Sequence, residues 1–192
     1  MGPRSPVFGY PVFLDLEGVD VLVVGGGRVA LRKAVGLAEA GASVTVVAPE
    51  LVEEFDLVSK RIERRPYRAG EAASYRLVIT ATNDPAVNAQ VAADATAANI
   101  WVNSADDPAN CSFILPAVAR RGLVTAAVST GGASPALAGR IREEIADRIL
   151  TASVEAAAVE LARQRAAIHA AGASTEDIDW SDHVNAAFPP GR

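Results

Sequence analysis

The chain has 192 residues, half of them hydrophobic and only 5% aromatic, and a formal net charge of −5. The charged residues are spread evenly, so no basic face predicts nucleic-acid binding. The single cysteine, Cys111, excludes an intrachain disulfide and a cysteine-rich metal site. No segment has the roughly 18 uninterrupted apolar residues of a membrane span, and Met1–Pro11 lacks the apolar region of a signal peptide. We therefore expect a soluble, cytoplasmic protein of one large or two small domains.

The first predicted strand is the apolar run Val21–Val24, which ends at three consecutive glycines and leads directly into a helix, Val29–Ala40. Gly41 fits the end of that helix, and Ser43–Ala48 is predicted to form the second strand. Together these elements make a βαβ unit that carries the glycine pattern of dinucleotide-binding folds.

Each small residue of that pattern has a physical role. Gly25 allows the tight turn, Gly27 lets the backbone approach a pyrophosphate, and Ala30 keeps the helix close to the sheet. The helix N-terminus at Arg28 and Val29 offers free N–H groups and a positive dipole end to a phosphate. The pattern predicts dinucleotide binding, and the alternative is an empty domain of the same fold.

Strands and helices continue to alternate through the first hundred or so residues, which predicts an α/β fold with a parallel, doubly wound sheet. Asp84 is predicted to cap a helix that starts at Pro85 and runs to about Ala98. The other predicted elements here are a short helix, Leu51–Lys60, and three strands, Arg61–Pro66, Leu77–Thr82 and Ile100–Asn103.

The pattern changes after these strands. Two strand-like runs, Ser112–Val118 and Leu123–Thr130, are separated by Arg120-Arg121-Gly122 and predict a β-hairpin. Two helices follow, from Ser134 to Leu150 and from Thr151 to Ala171. The first carries an apolar stripe, formed by Leu137, Ile141, Ile145 and Ile149. We expect a domain boundary near Ala117 and a helix-rich second domain.

Ligands of open α/β sheets bind beyond the carboxyl ends of the strands. After the second strand, Pro49 and Glu50 provide an acid for the adenosine ribose and no adjoining cation for a 2′-phosphate, which favours NAD over NADP. Glu50 could equally be an ordinary residue of the first turn of a helix. Thr82 ends another strand, where it is predicted to bind the ribose or a phosphate or simply to cap the strand end.

Two further loops carry candidate residues. Asp106 and Asp107 follow a strand, so that one can act as a general acid or base while the other caps the turn; the alternative is a solvated turn. In the loop Ser129–Pro135, small residues and hydroxyls at a helix N-terminus suit a carboxylate or phosphate. The same loop also fits a helix cap with Ser134 at the N-cap. No histidine or cysteine spacing predicts a permanent metal site.

These motifs, in this order, resemble the precorrin-2 dehydrogenase family, which includes members with sirohydrochlorin ferrochelatase activity. The resemblance covers residues 6–150, and beyond Leu150 the chain matches only in being helical. The motifs are PVFL at Pro11–Leu14, VVGGGRVALRK at Val23–Lys33, GASVTVVAP at Gly41–Pro49, LVITATND at Leu77–Asp84, VNSADDPANCSFILPA at Val102–Ala117 and AVSTGGASPALAGRIR at Ala127–Arg142.

The resemblance implies oxidation of precorrin-2 to sirohydrochlorin with NAD⁺. It places Asp106 at the family's key carboxylate, and Ser129, Thr130 and Ser134 in a loop near the tetrapyrrole. It also implies a homodimer with three regions: a Rossmann-like NAD-binding domain over 1–117, a hairpin–helix dimerisation segment over 118–150, and a small C-terminal helical domain over 151–192. Two alternatives stay open, a bifunctional enzyme that also inserts Fe²⁺ or Co²⁺, and a non-catalytic NAD(H)-sensing regulatory module.

Overall fold

The structure, a computed structural model of the chain, describes residues 9–176 and 178–189. The chain divides into two compact units, with the division between Leu115 and Pro116. The three-part division at residues 117 and 150 stays a prediction.

The first unit is a parallel five-stranded sheet in the order β3-β2-β1-β4-β5. The strand order reverses beside β1, because the chain builds outward to β3 on one side and then returns to add β4 and β5 on the other. Its elements are β1 (Asp20–Val24), α1 (Arg28–Glu39), β2 (Ser43–Val47), β3 (Arg61–Glu63), β4 (Leu77–Thr80), α2 (Pro85–Ala97) and β5 (Trp101–Ser104). This confirms the predicted doubly wound α/β fold.

The core lies on both faces of this sheet, because successive strand residues point to opposite sides. Val21 and Val23 of β1 pack with Ala30, Ala34 and Leu37 of α1, and all five are at most 6% exposed. On the other face, a second cluster joins the sheet to α2; it contains Leu22, Val24, Val47, Val78, Val91, Ala92, Ala95 and Val102. Buried apolar side chains on both faces explain the continuous apolar strands.

Two predicted elements of the first unit are much shorter than expected, and the strand predicted over Leu77–Thr82 ends two residues early, at Thr80. The predicted helix Leu51–Lys60 is wrong, and only Glu53–Leu57 forms a 3₁₀ helix. The N–H of Lys60 already donates to the Val44 carbonyl at 3.0 Å, so the chain must begin pairing with β2 there. The predicted strand to Pro66 ends instead at Glu63, where the Arg65 N–H turns back to the Glu63 carbonyl.

The second unit contains an antiparallel hairpin followed by three helices. Its elements are β6 (Ala117–Arg121), β7 (Val124–Val128), α3 (Pro135–Arg148), α4 (Ala152–Ala170) and α5 (Ser181–Ala187). Helix α3 packs on the hairpin, and α5 packs on α4. No helix among the described residues is both long and apolar enough to cross a membrane.

The first strand of the hairpin lies further along the chain than predicted, whereas the second lies within the predicted run Leu123–Thr130. The predicted first strand, Ser112–Val118, is wrong before Ala117, because Ser112 donates its N–H to the Val102 carbonyl beside β5. Arg120 and Arg121 belong to β6 rather than to the turn. The turn is Gly122-Leu123, and the positive φ of +51° at Gly122 explains why glycine stands there.

Candidate active site

The glycine turn lies where the strand order reverses, between the carboxyl ends of β1 and β4. Gly25 has φ +130°, and its N–H donates to the Val47 carbonyl at 3.0 Å. A Cβ at Gly25 would collide with the carbonyl of Ala81, directly after β4. Both the backbone conformation and the close approach therefore require glycine, as the sequence predicts.

Gly26 has a role that the sequence analysis missed. A Cβ there would collide with the carbonyl of Glu50 and lie 2.9 Å from the Cα of Leu51. The Gly26 carbonyl also accepts the N–H of Val52 at 3.0 Å. The middle glycine thus joins the turn to the loop after β2. The sequence did contain a signal for this role: the dinucleotide pattern needs only the first and third of the three glycines, so the middle one required another explanation.

Gly27 faces open space. It is the N-cap of α1 with φ −85°, and no described atom lies within 4 Å of a Cβ built on it. No side chain caps α1, its first turn contains no acidic residue, and Arg28 and Val29 are exposed. A helix N-terminus of this kind, with free N–H groups and room beside the backbone, fits the pyrophosphate of a dinucleotide.

Pro49 and Glu50 follow β2 as exposed residues of a bend. The helical alternative for Glu50 is wrong, because the next helical turn begins at Glu53. Contact with Gly26 keeps the Glu50 backbone beside the glycine turn. Glu50 therefore lies at the edge of the sheet where an adenosine ribose binds in this fold.

Sheet pairing also brings cations beside this loop, which the sequence analysis did not foresee. The Ala48 N–H donates to the Glu63 carbonyl at 3.2 Å, and Arg64 and Arg65 come directly after it. Arg65 is bound by two carboxylates, of Glu63 and Glu71. The guanidinium of Arg64 lies 3.9 Å from Asp56. Acidic partners thus accompany both arginines.

Thr82 lies in a network at the end of β4. Its hydroxyl accepts the N–H of Asp84 at 3.1 Å, and Asn88 of α2 accepts both the Thr82 N–H and the Thr80 hydroxyl. Asp84 caps α2 by accepting the N–H of Ala86 at 2.9 Å. The structure therefore shows the strand-end role for Thr82, and a ribose or phosphate contact stays a prediction. Asn88, which orders this strand end, was missed from the sequence.

The acidic turn follows β5 on the same edge of the sheet, and its two carboxylates differ. Asp106 is exposed, has φ +58°, and makes no hydrogen bond or ion pair with any described side chain or backbone group. Asp107 accepts the side-chain N–H of Asn110 at 2.6 Å and precedes a 3₁₀ helix that begins at Pro108. Asp107 therefore shapes the turn, whereas Asp106 is available for chemistry.

Cys111 holds this turn together from inside. Its sulfur accepts the N–H of Ser104 at 3.1 Å, and its S–H has the carbonyls of Ser104 and Asp107 at 3.2 and 3.3 Å. Burial raises the pKa of the Cys111 thiol, and the nearby carboxylate of Asp107 adds to that shift. Cys111 therefore acts as a neutral structural thiol.

Lys33 of α1 also reaches this strand end. Its Nζ donates to Oδ1 of Asn103 at 3.1 Å, and the Asn103 side chain donates in turn to the Phe113 carbonyl at 3.0 Å. Neither Lys33 nor Asn103 was assigned a role from the sequence. Only the topology brings them together, because they lie 70 residues apart.

The loop Ser129–Pro135 belongs to the second unit. Ser134 caps α3 by accepting the N–H of Leu137 at 3.2 Å, which confirms the helix-cap interpretation. The Thr130 hydroxyl accepts the Ser134 N–H at 3.0 Å, and the Ser129 hydroxyl accepts the N–H of Gly131 at 3.1 Å. These bonds make a compact loop with its hydroxyls at a helix N-terminus. Binding of substrate there stays a prediction.

The strand order, the glycine turn at its reversal point and the open N-terminus of α1 define a dinucleotide-binding domain of the Rossmann class. A family model described as putative NAD(P)-binding matches residues 12–117, and one described as the sirohaem biosynthesis protein central region matches residues 127–148. The solved structure of SirC, a precorrin-2 dehydrogenase, is similar with a TM-score of 0.71 and 32% identity, covering 93% of this chain and 87% of SirC. The chain belongs to the precorrin-2 dehydrogenase family, as its motifs predict.

Longer relatives share the same region. The siroheme synthase of Pseudomonas putida (strain W619) is 47% identical over 139 residues, which is 70% of this chain and 30% of that protein. The siroheme synthase of Methylococcus capsulatus is 46% identical, again over 70% of this chain and 29% of its own length. The chain thus spans about 30% of the length of the curated relatives that it matches.

Proposed function

We propose that this chain oxidises precorrin-2 to sirohydrochlorin with NAD⁺, on the route to sirohaem. One observation carries the proposal: an open cradle at Gly27 and an unpartnered carboxylate, Asp106, follow strands β1 and β5 at the same edge of one parallel sheet. A regulatory module that only senses NAD(H) needs the cradle and has no use for that carboxylate. The family membership supports the enzyme.

The residues of the glycine turn fit the dinucleotide. Gly25, Gly27, Arg28 and Val29 would hold the pyrophosphate through backbone N–H groups at the start of α1. Glu50, next to Pro49, would accept hydrogen bonds from the adenosine ribose, and its negative charge disfavours a 2′-phosphate, so we propose NAD rather than NADP. When bound, NAD⁺ supplies the hydride acceptor.

Removal of a hydride from precorrin-2 must be accompanied by loss of a proton. We propose that Asp106 accepts this proton, because its carboxylate is exposed and has no described partner to compete for it. Asp107 already accepts the Asn110 N–H at 2.6 Å and stays a turn residue. The positive φ of Asp106 is a conformation that aspartate adopts more readily than most residues, which suits a carboxylate placed for function.

Substrate recognition is proposed for the loop before α3. Precorrin-2 carries many carboxylates, and Ser129, Thr130 and Ser134 present hydroxyls at the N-terminus of a 14-residue helix. Such an N-terminus attracts negative charge. The caps within the loop fix these hydroxyls in place, so the helix-cap and substrate-binding interpretations are compatible.

We also propose a homodimer, with the dimerisation segment over residues 118–150, and a cytoplasmic location. The apolar stripe of α3 supports the dimer, because Leu137, Ile141 and Ile149 are 52%, 38% and 57% exposed. Leu123 of the hairpin turn is 67% exposed. An obligate dimer that covers this surface would bury roughly 2,000 Å² or more.

The test is absorbance spectroscopy of the purified protein with enzymatically generated precorrin-2 and NAD⁺. We expect sirohydrochlorin to form together with NADH. Asp106→Asn should lower the single-turnover rate by roughly 10²–10⁴-fold. Asp107→Asn is the matched control and should lower that rate much less. Bound NAD⁺ without any product would support the sensing module instead. Fe²⁺ or Co²⁺ added after the oxidation tests metal insertion, which stays a prediction.

A further inference from the structure

Lys33 places a charged group at the end of β5. It lies on α1, the helix whose N-terminus forms the cofactor cradle, and its half-buried side chain extends to Asn103. Asn103 is only 5% exposed, and its Oδ1 accepts the Lys33 ammonium at 3.1 Å. Within the described part of the chain, Lys33 has no carboxylate within ion-pair distance.

Asn103 links Lys33 to the acidic turn through further hydrogen bonds. Its side-chain N–H groups lie 3.0 Å from the Phe113 carbonyl and 3.6 Å from the sulfur of Cys111. Cys111 in turn bonds to the backbone of Ser104 and Asp107, the residues on either side of the Asp106 turn. One continuous chain of hydrogen bonds therefore joins the cofactor helix to the segment that holds Asp106.

The charges around Lys33 point to the same segment. Burial lowers the pKa of Lys33, and the neighbouring cation Arg32 lowers it further, whereas Cys111 and Asp106 act in the opposite direction. A half-buried cation is costly, and an aliphatic residue at this position of α1 would avoid that cost. Asp106 is the carboxylate among the groups that offset part of this cost.

We propose that Lys33 is a positioning residue of the active site, which fixes the end of β5 through Asn103 and keeps a positive charge at the strand end from which the Asp106 turn begins. The proposal rests on the proposed function of Asp106. It differs from a purely structural tie between α1 and β5, because a structural tie would not require a charge.

The first experiment compares Lys33→Met with Lys33→Arg in the complete chain. We expect Lys33→Met to lower kcat by roughly 10- to 100-fold, the cost of a small misplacement of a catalytic group, while the Kd for NAD⁺ changes by less than about threefold because the cradle at Gly27 is untouched. Lys33→Arg keeps the charge and should recover most of the rate. Arg32→Gln, which removes an exposed cation one residue away, is the control and should leave kcat within about twofold.

The pH dependence of kcat distinguishes a role for the charge of Lys33 from a purely structural role. Because the pKa of Lys33 lies below its usual value, alkaline pH removes the cation earlier than it would from an exposed lysine. The kcat of the wild-type protein should therefore fall on the alkaline side, and Lys33→Arg should move this fall to higher pH. The Cys111 thiol also loses its proton at alkaline pH. If Lys33 causes the fall in kcat, Cys111→Ser should therefore retain it. A wild-type rate and profile in Lys33→Met would overturn the proposal.

A second readout does not depend on activity. The pKa of Lys33, followed at Nζ by NMR, should fall further in Asp106→Asn and stay unchanged in Asp107→Asn. An unchanged pKa in Asp106→Asn would refute the electrostatic effect of Asp106 on Lys33 even if the enzyme is active. If the wild-type protein forms no sirohydrochlorin, the proposed function fails, and the NMR titration still decides whether Lys33 and Asp106 interact.

Discussion

The glycines at 26 and 27 should have opposite effects when a side chain is added, although they are neighbours in one turn. The atoms nearest to a Cβ at Gly26 would be backbone atoms of Glu50 and Leu51, which cannot rotate away. A Cβ at Gly27 would meet open space, at a φ that any residue adopts. Gly26→Ala should therefore damage the fold, and Gly27→Val should damage binding of NAD⁺.

The magnitudes follow from these contacts. Overpacking against fixed backbone costs up to about 3 kcal/mol, which for a chain of this size lowers Tm by roughly 6–12 °C in Gly26→Ala. At Gly27, loss of a good N-cap costs only about 0.5–1 kcal/mol. The side chain introduced by Gly27→Val would displace the pyrophosphate from about two charge-assisted hydrogen bonds, together about 3 kcal/mol, or roughly 100-fold in Kd.

The assay is a pair of measurements on each variant, the Tm from circular dichroism and the Kd for NAD⁺ from isothermal titration calorimetry. Gly27→Val should melt within a few degrees of wild type and bind NAD⁺ at least about 100-fold more weakly. Wild-type affinity in Gly27→Val would show that the cofactor does not pass this residue. A wild-type Tm in Gly26→Ala would refute the packing argument.

Three further outcomes are expected. Glu50→Arg should reverse the preference for NAD⁺ over NADP⁺ in calorimetric titrations; equal or tighter NADP⁺ binding by the wild-type protein would contradict the ribose role. Ile141→Asp should dissociate the proposed dimer in sedimentation velocity, and a wild-type chain that sediments as a stable monomer at micromolar concentration would rule that dimer out. For Glu71, burial opposes ionisation, but the hydrogen bonds from Arg65 and from the Arg68 N–H, together with the charges of these two arginines, outweigh burial and hold the pKa below its usual value. Its stabilisation is complete above the unfolded pKa of about 4.3 and is lost as pH falls below it, so Glu71→Gln should flatten the acid side of a Tm–pH curve.

Local sequence pattern was sufficient wherever an element is defined by its own residues. The buried strands β1 and β4 contain continuous apolar runs, and β2 is rich in valine. Helices α2 and α3 begin at a capping residue followed by proline, so each of these elements was predicted to within a few residues. The same pattern failed at Ser112, whose apolar surroundings suggest a strand. Its backbone N–H and hydroxyl are instead engaged by Val102 of β5, a partner that only the folded chain provides.

The residues of the candidate site likewise differ in whether the local sequence reveals them. The outer glycines, Glu50 and the acidic turn could be named from the sequence because backbone conformation and strand ends leave local signals. Lys33 leaves none, since a lysine on an amphipathic helix is ordinarily a solvated residue. Its contact with Asn103 exists because β4, inserted next to β1 on the side away from β2, carries β5 to within reach of α1. The strand order that places the glycine turn at its reversal point therefore also brings Lys33 of α1 to the strand end that precedes the acidic turn.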